Sequence, residues 1–352
     1  MINSLRLLNF KAFENQLIEF RGLTLLSGFN NTGKSSILQA LLLLRQSYQH
    51  GMLQKDSLAL NGDLVNIGTA SDALCERAKE DYVGFEISTN SNGKGIWNFS
   101  SESANQEANV INITSKLVND DIYQSSLFND YFHYFYGERI GVLEKTAYLL
   151  FKHGNKPITI PKLSHSKAKS INLIDQVEAW MGEINPGIHI KVDSNPDTES
   201  LSLEYYYGDS NSPKRSSVGL GITYALPIVV AVLASQPGTL ILIEHPEVFL
   251  HASFQAKISG LFALAANYGV QLIIETHSDH VLNGIRVAVH SGKISHEDIQ
   301  LLHFQHKSKQ NQDVIEVVSP RIDRNGRIDR WDDGFFDQWE ETLIVLLEPA
   351  KP

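Results

Sequence analysis

Eight consecutive residues near the start of the chain have the types and spacing of a phosphate-binding loop. The segment Gly28-Phe29-Asn30-Asn31-Thr32-Gly33-Lys34-Ser35 satisfies the pattern GxxxxGKS/T between an apolar strand and a helix. In such a loop the backbone N–H groups attract phosphate oxygens, the lysine contacts the β and γ phosphates, and the hydroxyl binds Mg²⁺. The predicted nucleotide-binding residues are Asn30, Asn31, Thr32, Gly33, Lys34, Ser35 and Ser36, with Ser35 also a predicted Mg²⁺ ligand.

Carboxylate and imidazole side chains follow two predicted strands in the second half of the chain. The strand Thr239–Ile243 leads into Glu244-His245-Pro246-Glu247, and the strand Val270–Glu275 leads into Thr276-His277. Nucleotide clefts form at the carboxyl ends of parallel strands. We therefore predict that Glu244 holds Mg²⁺ or its water and that His277 reaches a γ-phosphate. Taken singly, His277 fits an ordinary hydrogen-bonded polar residue better than a functional one.

A third segment, Ser216–Gly221, precedes the predicted helix Gly221–Ser235 and offers N–H groups and a hydroxyl at a helix start. Taken alone, it is consistent with a simple helix cap.

Apolar patterns predict the elements that position these motifs. The chain alternates between strands and helices at both ends, which predicts a mostly parallel α/β core assembled from the two ends. The middle is less regular, and no heptad pattern persists there, so a long coiled-coil arm is not expected. The predicted strands are Ile2–Phe10, Gln16–Phe20, Leu23–Ser27, Thr239–Ile243 and Val270–Glu275. The predicted helices are Lys34–Tyr48, Lys145–Phe151, Ile171–Met181, Gly221–Ser235, Ala252–Tyr268 and His280–His290.

Composition excludes several classes of protein. The 352 residues carry 30 Lys and Arg against 40 Asp and Glu, a net charge of −10, so nucleic acid could contact only a local basic patch. The single cysteine, Cys75, excludes an intrachain disulfide and fits a reducing compartment. The longest apolar stretch, 225–234, is too short to span a membrane. We expect a cytoplasmic protein without a membrane partner.

The motifs, taken in order, resemble the ABC-type ATPase heads of the SMC, RecF and OLD class. More narrowly, the chain resembles the compact prokaryotic AAA-family ATPases found in antiphage defence loci. The resemblance covers both ends of the chain and says little about the middle. It rests on these segments: 7–13 (LLNFKAF), 219–221 (GLG), 226–228 (LPI), 244–247 (EHPE), 250–251 (LH), 275–280 (ETHSDH), 283–286 (NGIR), 326–331 (GRIDRW) and 334–338 (GFFDQ).

The resemblance implies an α/β fold with four regions. An ABC-type head with a mostly parallel core sheet would have an antiparallel N-terminal β part and an inserted mixed α+β lobe. Residues 1–50 would form the first part of the head with the P-loop, and 51–212 the inserted lobe. Residues 213–318 would complete the head with the signature, Walker B and histidine-switch motifs, and 319–352 would be a short family segment.

The resemblance also implies that the chain binds ATP with Mg²⁺ and works as a homodimer. ATP on one protomer would be capped by Ser217, Gly219 and Gly221 of the other, so a complete site needs two chains. In the defence systems, a companion effector such as a nuclease acts together with the ATPase. No nuclease constellation is visible in this sequence, so any cutting of nucleic acid is expected from another protein.

One residue departs from the pattern of the family. Many ABC-type heads place a glutamate immediately after the Walker B carboxylate, where it polarises the attacking water, whereas this chain has His245 after Glu244. His245, Glu247 and His277 are therefore all candidates for the general base. A weaker base predicts slow hydrolysis and a long-lived ATP-bound dimer.

Two alternative functions stay open. The chain could be a RecF/SMC-like DNA repair clamp that contacts DNA through a local patch such as Lys162, Lys167 and Lys169 near His165. It could also be a regulatory scaffold that binds ATP and never hydrolyses it, which the histidine at position 245 allows. Stimulation of ATP turnover by duplex DNA separates the clamp from the other two.

Overall fold

The computed structural model describes residues 1–101, 109–136, 141–159, 163–195, 200–208, 219–309, 312–332, 334–336 and 338–347. The chain forms two compact units. Unit 1 comprises Met1–Phe132, Ile299–Arg321 and Ile328–Pro352, and unit 2 comprises His133–Asp298 and Ile322–Arg327. Elements are numbered in chain order, and each unit is treated by itself.

Unit 1 contains most of the strands. Its elements are β1 (Ile2–Phe10), β2 (Phe13–Glu19), β3 (Leu23–Gly28), α1 (Lys34–Gln49), β4 (Ser57–Ala59), α2 (Ala70–Ala73), β5 (Tyr82–Thr89), β6 (Lys94–Ser100), β7 (Val110–Val118), β13 (Ile299–Lys309), β14 (Gln312–Val318) and α8 (Gln338–Leu347).

An antiparallel sheet of unit 1 has the strand order β2-β1-β5-β6-β7-β4. In β6, buried residues such as Trp97 and Phe99 alternate with half-buried ones, because successive side chains point to opposite faces. The buried face is aromatic. The ring of Phe85 lies 5.1 Å from that of Phe10 and 6.1 Å from that of Phe99.

The antiparallel N-terminal β part that we predicted begins with a tighter hairpin than the sequence suggested. β2 starts at Phe13 and not at Gln16, and Phe10 pairs directly with Phe13. The turn is therefore only Lys11 and Ala12, with Lys11 in the left-handed region at φ 47°. The polar residues 14 and 15, which lie between the two predicted strands Ile2–Phe10 and Gln16–Phe20, are exposed strand positions.

The two ends of the chain meet in unit 1. β3 runs parallel to β13, with Leu23 opposite Ile299 and Gly28 opposite Phe304. β13 also pairs antiparallel with β14. Five residues separate the end of β3 from the start of α1, and nearly all residues in the middle turns of α1 are buried. The core assembled from both ends of the chain is thereby confirmed for this unit.

Unit 2 is an α/β unit whose helices flank a short parallel pair of strands. Its elements are β8 (Phe132–Phe135, whose first residue belongs to unit 1), α3 (Gly141–His153), α4 (Leu173–Met181), β9 (Ile188–Asn195), β10 (Ser200–Tyr207), α5 (Leu220–Ala234), β11 (Leu240–Glu244), α6 (Ala252–Asn267), β12 (Gln271–Glu275) and α7 (Asp279–His290).

β11 and β12 are parallel, and every apolar residue in them is buried. Such uninterrupted apolar runs are typical of parallel strands covered on both faces. α5 is apolar along most of its length, continues through Pro227, and packs against α3 and α4, while α6 packs against α7. The helices predicted in this region are present, with ends shifted by a few residues.

The longest helices in the described ranges, α1 and α6, have sixteen residues each, so that part of the chain contains no coiled-coil arm. None of the described helices is long and apolar enough to cross a membrane.

Candidate functional site

The loop between β3 and α1 has a backbone that only particular residues can adopt. Gly28, Asn31 and Gly33 have φ values of 131°, 61° and 86°. A Cβ atom on Gly28 would lie 2.1 Å from the carbonyl oxygen of Phe304 on the neighbouring strand β13. Glycine is therefore required at position 28 both for its backbone angle and for this close approach.

Lys34 folds its side chain back onto the loop and hydrogen-bonds to the backbone of the loop. Its side chain is buried, and Nζ donates hydrogen bonds to the carbonyl oxygens of Gly28 at 3.0 Å and Phe29 at 2.7 Å. The hydroxyl of Thr32 donates to the same Phe29 oxygen at 2.7 Å. The ammonium group is thus positioned inside the loop by backbone atoms that are themselves fixed.

The other predicted residues of this loop lie where the pattern requires. Ser35 and Ser36 are in the first turn of α1, and the Ser36 N–H donates to the Gly33 oxygen at 3.1 Å. Asn30 and Asn31 are exposed. The first turn of α1 carries no acidic residue, and it combines a buried lysine, two hydroxyls and a helix N-terminus. This donor set fits a nucleotide phosphate with its magnesium ion.

A segment near the end of the chain packs on the P-loop, which no sequence pattern predicted. A Cβ atom on Gly334 would lie 2.2 Å from Cζ of Phe29. Phe335 is buried, and its ring lies 5.1 Å from the ring of His303, which in turn lies 6.4 Å from that of Phe29. The segment and the loop are both in unit 1, so the P-loop is supported from a region about 300 residues away along the chain.

In unit 2, the ends of β11 and β12 bring the predicted acidic and histidine residues together. Glu244 lies opposite Glu275 in the parallel register. His245 follows in the left-handed region at φ 51°, and its backbone N–H donates to the backbone carbonyl oxygen of Glu275 at 2.8 Å. The hydroxyl of Tyr134 donates to Oε1 of Glu244 at 2.8 Å. Histidine is among the residues that tolerate this backbone angle better than most.

Glu247 joins the two strand ends through its carboxylate. Its oxygens accept hydrogen bonds from the Thr276 hydroxyl at 2.7 Å and from the backbone N–H of His277 at 2.9 Å. Oε1 also lies 3.7 Å from Nδ1 of His245. Burial raises the pKa of Glu247, but the contacts with His245, His277 and Thr276 outweigh burial and hold the pKa below its usual value.

The two imidazole rings lie side by side. The rings of His245 and His277 are nearly parallel, at 10°, with centroids 5.4 Å apart. The Glu247 carboxylate raises the pKa of His245 above its ordinary value, burial opposes this, and Glu275 and Glu244 add to the rise. The geometry therefore places an imidazole close to three carboxylates.

The signature segment lies at the start of α5. Gly219 is the N-cap residue of this helix, and no described atom lies within 4 Å of the Cβ that a substitution would add there. A Cβ on Gly221 would lie 2.6 Å from the Phe249 carbonyl oxygen, so this glycine allows a close approach. Ser217 lies outside the described residues.

Basic residues of the predicted DNA-facing patch are only partly described. Nζ of Lys167 is paired with Glu183 at 2.7 Å, which neutralises its charge. Lys162 lies outside the described residues.

Unit 2 therefore brings Glu244, His245, Glu247 and His277 together, and unit 1 brings together the seven predicted P-loop residues. Sequence reasoning missed the partners of these residues. Glu275 could have been found, because it ends a parallel strand next to the one that ends in Glu244. The contact of Tyr134 with Glu244 and that of Gly334 with Phe29 gave no signal, since they join segments far apart in the chain.

Two solved structures with a similar fold are Smc head domains. The structure of an Smc head bound to the C-terminal winged-helix domain of ScpA matches with a TM-score of 0.52 and 13% identity, covering 90% of this chain and 97% of that chain. An Smc head with an extended coiled coil, bound to the C-terminal domain of ScpA from Pyrococcus furiosus, matches with a TM-score of 0.53 and 12% identity, covering 99% of each chain. At this identity the likeness shows the fold. The chain therefore shares the fold of Smc head domains and carries a P-loop between β3 and α1.

The family follows from the sequence match. Residues 23–283 match the family described as "AAA domain, putative AbiEii toxin, Type IV TA system", and residues 294–346 match a protein family of unknown function, DUF3696. The first match covers more than two thirds of the 352 residues, so the chain belongs to this AAA family of nucleotide-binding ATPases. The comparison with curated proteins gave no match.

Proposed function

We propose that the chain is a Mg²⁺-dependent ATPase that dimerises around ATP, hydrolyses it slowly, and controls a separate effector protein in prokaryotic antiphage defence. The observation that carries the proposal is the P-loop, in which the buried Lys34 ammonium is held by the Gly28 and Phe29 carbonyl oxygens. The family description, which refers to a toxin–antitoxin system, supports the defence setting.

Each part of the P-loop has a role in this proposal. The N–H groups from Asn30 to Ser36 bind phosphate oxygens, Lys34 contacts the β and γ phosphates, and the Ser35 hydroxyl is a ligand of Mg²⁺. Glu244 is the candidate of unit 2 for holding Mg²⁺ or its water. When bound, the Mg²⁺ ion neutralises charge on the phosphates. Tyr134 keeps the Glu244 carboxylate in one orientation through its 2.8 Å hydrogen bond.

The residues at the ends of β11 and β12 support slow hydrolysis. His245 occupies the position where many related heads have a glutamate, and because Glu247 raises its pKa, a larger fraction of the imidazole is already protonated near neutral pH and cannot accept a proton from water. Glu247 and His277 are the remaining candidates for the base and for contact with the γ-phosphate. Glu247 is engaged by Thr276 and by the His277 N–H, so its main effect is to position His277.

Dimerisation is proposed through Ser217, Gly219 and Gly221. Gly219 is exposed and has open space around it among the described atoms, as expected for a surface that another protomer covers. The two similar Smc heads are each bound to a ScpA domain, which supports a partner protein as part of the mechanism.

The proposal is tested by ATP turnover per chain as a function of protein concentration, with light scattering to follow mass. We expect turnover per chain to rise as dimer appears, because each site needs residues of two chains. Gly219→Arg should bind ATP normally and stay monomeric with low turnover, since the arginine has space in the monomer but blocks the partner. Dimer formation by this variant with ATP would contradict the shared site.

Two further measurements separate the alternatives in the same experiment. Duplex DNA is added to a parallel series, and a rise in turnover that disappears steeply with salt would favour the DNA clamp. ATP binding without turnover at any concentration, with or without DNA, would favour the non-hydrolysing scaffold.

A further inference from the structure

Three side chains of unit 2 carry donor atoms that suit a transition-metal ion. His245, Glu275 and His277 each bring one nitrogen or oxygen to within 4.8 Å of the other two. Two imidazoles and a carboxylate form a ligand set that Zn²⁺ and other first-row dications accept, whereas Mg²⁺ prefers oxygen ligands. This set therefore differs in chemistry from Ser35 and Glu244, which we propose for Mg²⁺.

The backbone holds these three residues in place. Glu275 is the last residue of β12 and is 2% exposed. The backbone N–H of His245 donates to the backbone carbonyl oxygen of Glu275 at 2.8 Å, which fixes the position from which the His245 ring extends. The two imidazole rings lie nearly parallel, with centroids 5.4 Å apart. The donor atoms thus come from rigid strand ends, where a metal site can be precise.

Glu247 is placed as an outer partner of the His245 ring and as a backbone contact of His277. Its carboxylate lies 3.7 Å from Nδ1 of His245 and accepts the backbone N–H of His277 at 2.9 Å. Histidine ligands of metals usually direct their other ring nitrogen to a carboxylate, which orients the ring and strengthens it as a ligand. With Nδ1 of His245 directed to Glu247, Nε2 is the nitrogen that would bind a metal.

We propose that His245, Glu275 and His277 bind one divalent transition-metal ion, of which Zn²⁺ is representative. Ligands about 2.0–2.2 Å from a tetrahedral zinc ion are separated by about 3.3–3.6 Å, so donor atoms that lie within 4.8 Å of one another need to approach by at most roughly 1 Å. His277 is exposed, and rotation of its ring can provide this movement without change in the core. The fourth position is left to water.

Metal binding at this place has a functional consequence that rests on the proposed ATPase. The ion would occupy both imidazoles that are candidates for proton transfer and γ-phosphate contact. A metal-loaded chain should therefore hydrolyse ATP more slowly than the metal-free chain, while the P-loop still binds nucleotide.

The site is tested by titrating Co²⁺ into the metal-free full chain without nucleotide, with visible absorption as the readout. We expect saturation at a single Co²⁺ per chain, displacement of the band by Zn²⁺, and affinity weakened about 10- to 100-fold in both His277→Ala and Glu275→Gln. His280→Ala is the matched control, because it removes an exposed imidazole three residues from His277 and should bind as the wild type does. Circular dichroism establishes that each variant is folded.

Two outcomes would overturn the site: equal affinity of the wild type and His277→Ala, or no saturable binding below about 0.1 mM Co²⁺. Lys34→Ala should keep its Co²⁺ affinity although it loses ATP binding, so failure of the metal site and failure of the proposed ATPase are distinguishable. Unchanged turnover of the wild type when saturated with Zn²⁺ would overturn the inhibitory role.

Discussion

The P-loop of unit 1 and the strand ends of unit 2 are built in opposite ways. In the P-loop, backbone atoms provide most of the groups that would contact phosphate, and the one long side chain, Lys34, is itself held by two backbone oxygens. At the ends of β11 and β12, side chains hold one another, with Glu247 contacting Thr276, His277 and His245. A site built from backbone atoms depends on the few residues that permit its backbone conformation. In a side-chain network, by contrast, each contact can be removed by a single substitution. We therefore expect mutations in the first to affect nucleotide binding and those in the second to affect turnover.

The largest effect is expected for Lys34→Ala. Removal of the ammonium should weaken ATP binding by about 100-fold or more, roughly 2.7 kcal/mol, because a cationic contact with phosphates is lost from a buried position. Isothermal titration calorimetry with ATP and Mg²⁺ measures this directly. Lys79→Ala, which removes an exposed lysine of the same unit, is the control. Unchanged ATP affinity in Lys34→Ala would contradict the P-loop assignment.

A smaller effect on binding is expected for Gly334→Ala. The new methyl group would lie 2.2 Å from the Phe29 ring and would displace the residue whose carbonyl holds Lys34. We expect a loss of about 1–3 kcal/mol in stability from overpacking and about tenfold weaker ATP binding. Thermal unfolding and calorimetry measure the two quantities.

Two variants show whether the contact with Phe29 is the cause. Gly51→Ala also places a methyl on a left-handed glycine of unit 1, at φ 68°, but meets no described atom within 4 Å, so it should keep normal ATP affinity. The double variant Gly334→Ala with Phe29→Ala should regain most of the lost affinity, since the clash is removed. Equal effects of Gly51→Ala and Gly334→Ala would show that backbone strain alone is responsible.

A change in turnover without a change in binding is expected for His245→Glu. A glutamate at this position is ionised at neutral pH and so is available as a general base, whereas an imidazole with a raised pKa is partly protonated, so we expect turnover to rise several-fold, up to about tenfold. ATP affinity should stay within about twofold of the wild type, because the P-loop is unchanged. Steady-state turnover and calorimetry test both halves. If turnover does not change, Glu247 or His277 is the better candidate for the base.

The smallest effect concerns a charge that stabilises without reacting. Hydrogen bonds from Lys167 at 2.7 Å and from Lys257 at 2.5 Å lower the pKa of Glu183 to about 2. A lowered pKa means that Glu183 contributes stability above the ordinary pKa of a glutamate, near 4.5, and that this contribution is lost as the pH falls towards 2. Because both lysines are well exposed, Glu183→Gln should cost less than about 1 kcal/mol.

The measurement is urea unfolding of the wild type and Glu183→Gln at several values of pH. The difference in free energy of unfolding should be present at pH 7 and should shrink between pH 4.5 and lower values. A difference that does not depend on pH would show that the contribution is steric and not electrostatic.

The features that the sequence predicted belong mostly to local backbone structure, and most of the features that it missed are contacts between distant segments. The P-loop, α1 and the strands β3, β11 and β12 were predicted because each depends on a short run of residues. The proximity of Glu244, His245 and His277 was also predictable, since parallel strands end at one edge of a sheet. The partners Tyr134 and Gly334 were not predictable, because their contacts join distant segments by packing that has no period in the sequence. The hairpin turn at Lys11 was misjudged because exposed polar residues occur in edge strands as well as in turns.

The parallel pairing of β3 with β13 has a consequence for how the protein is made. Ser27 next to the P-loop donates to Leu302, a residue 275 positions later. At a synthesis rate of about 5–20 residues per second, β3 waits roughly 14–55 s on the ribosome before its partner strand exists. During that time the apolar residues of β3 lack the neighbouring strand β13, and Gly28 lacks Phe304, which approaches it closely in the folded protein. The P-loop therefore matures only after nearly the whole chain has been synthesised, and nascent chains that stop before β13 should be substrates for chaperones.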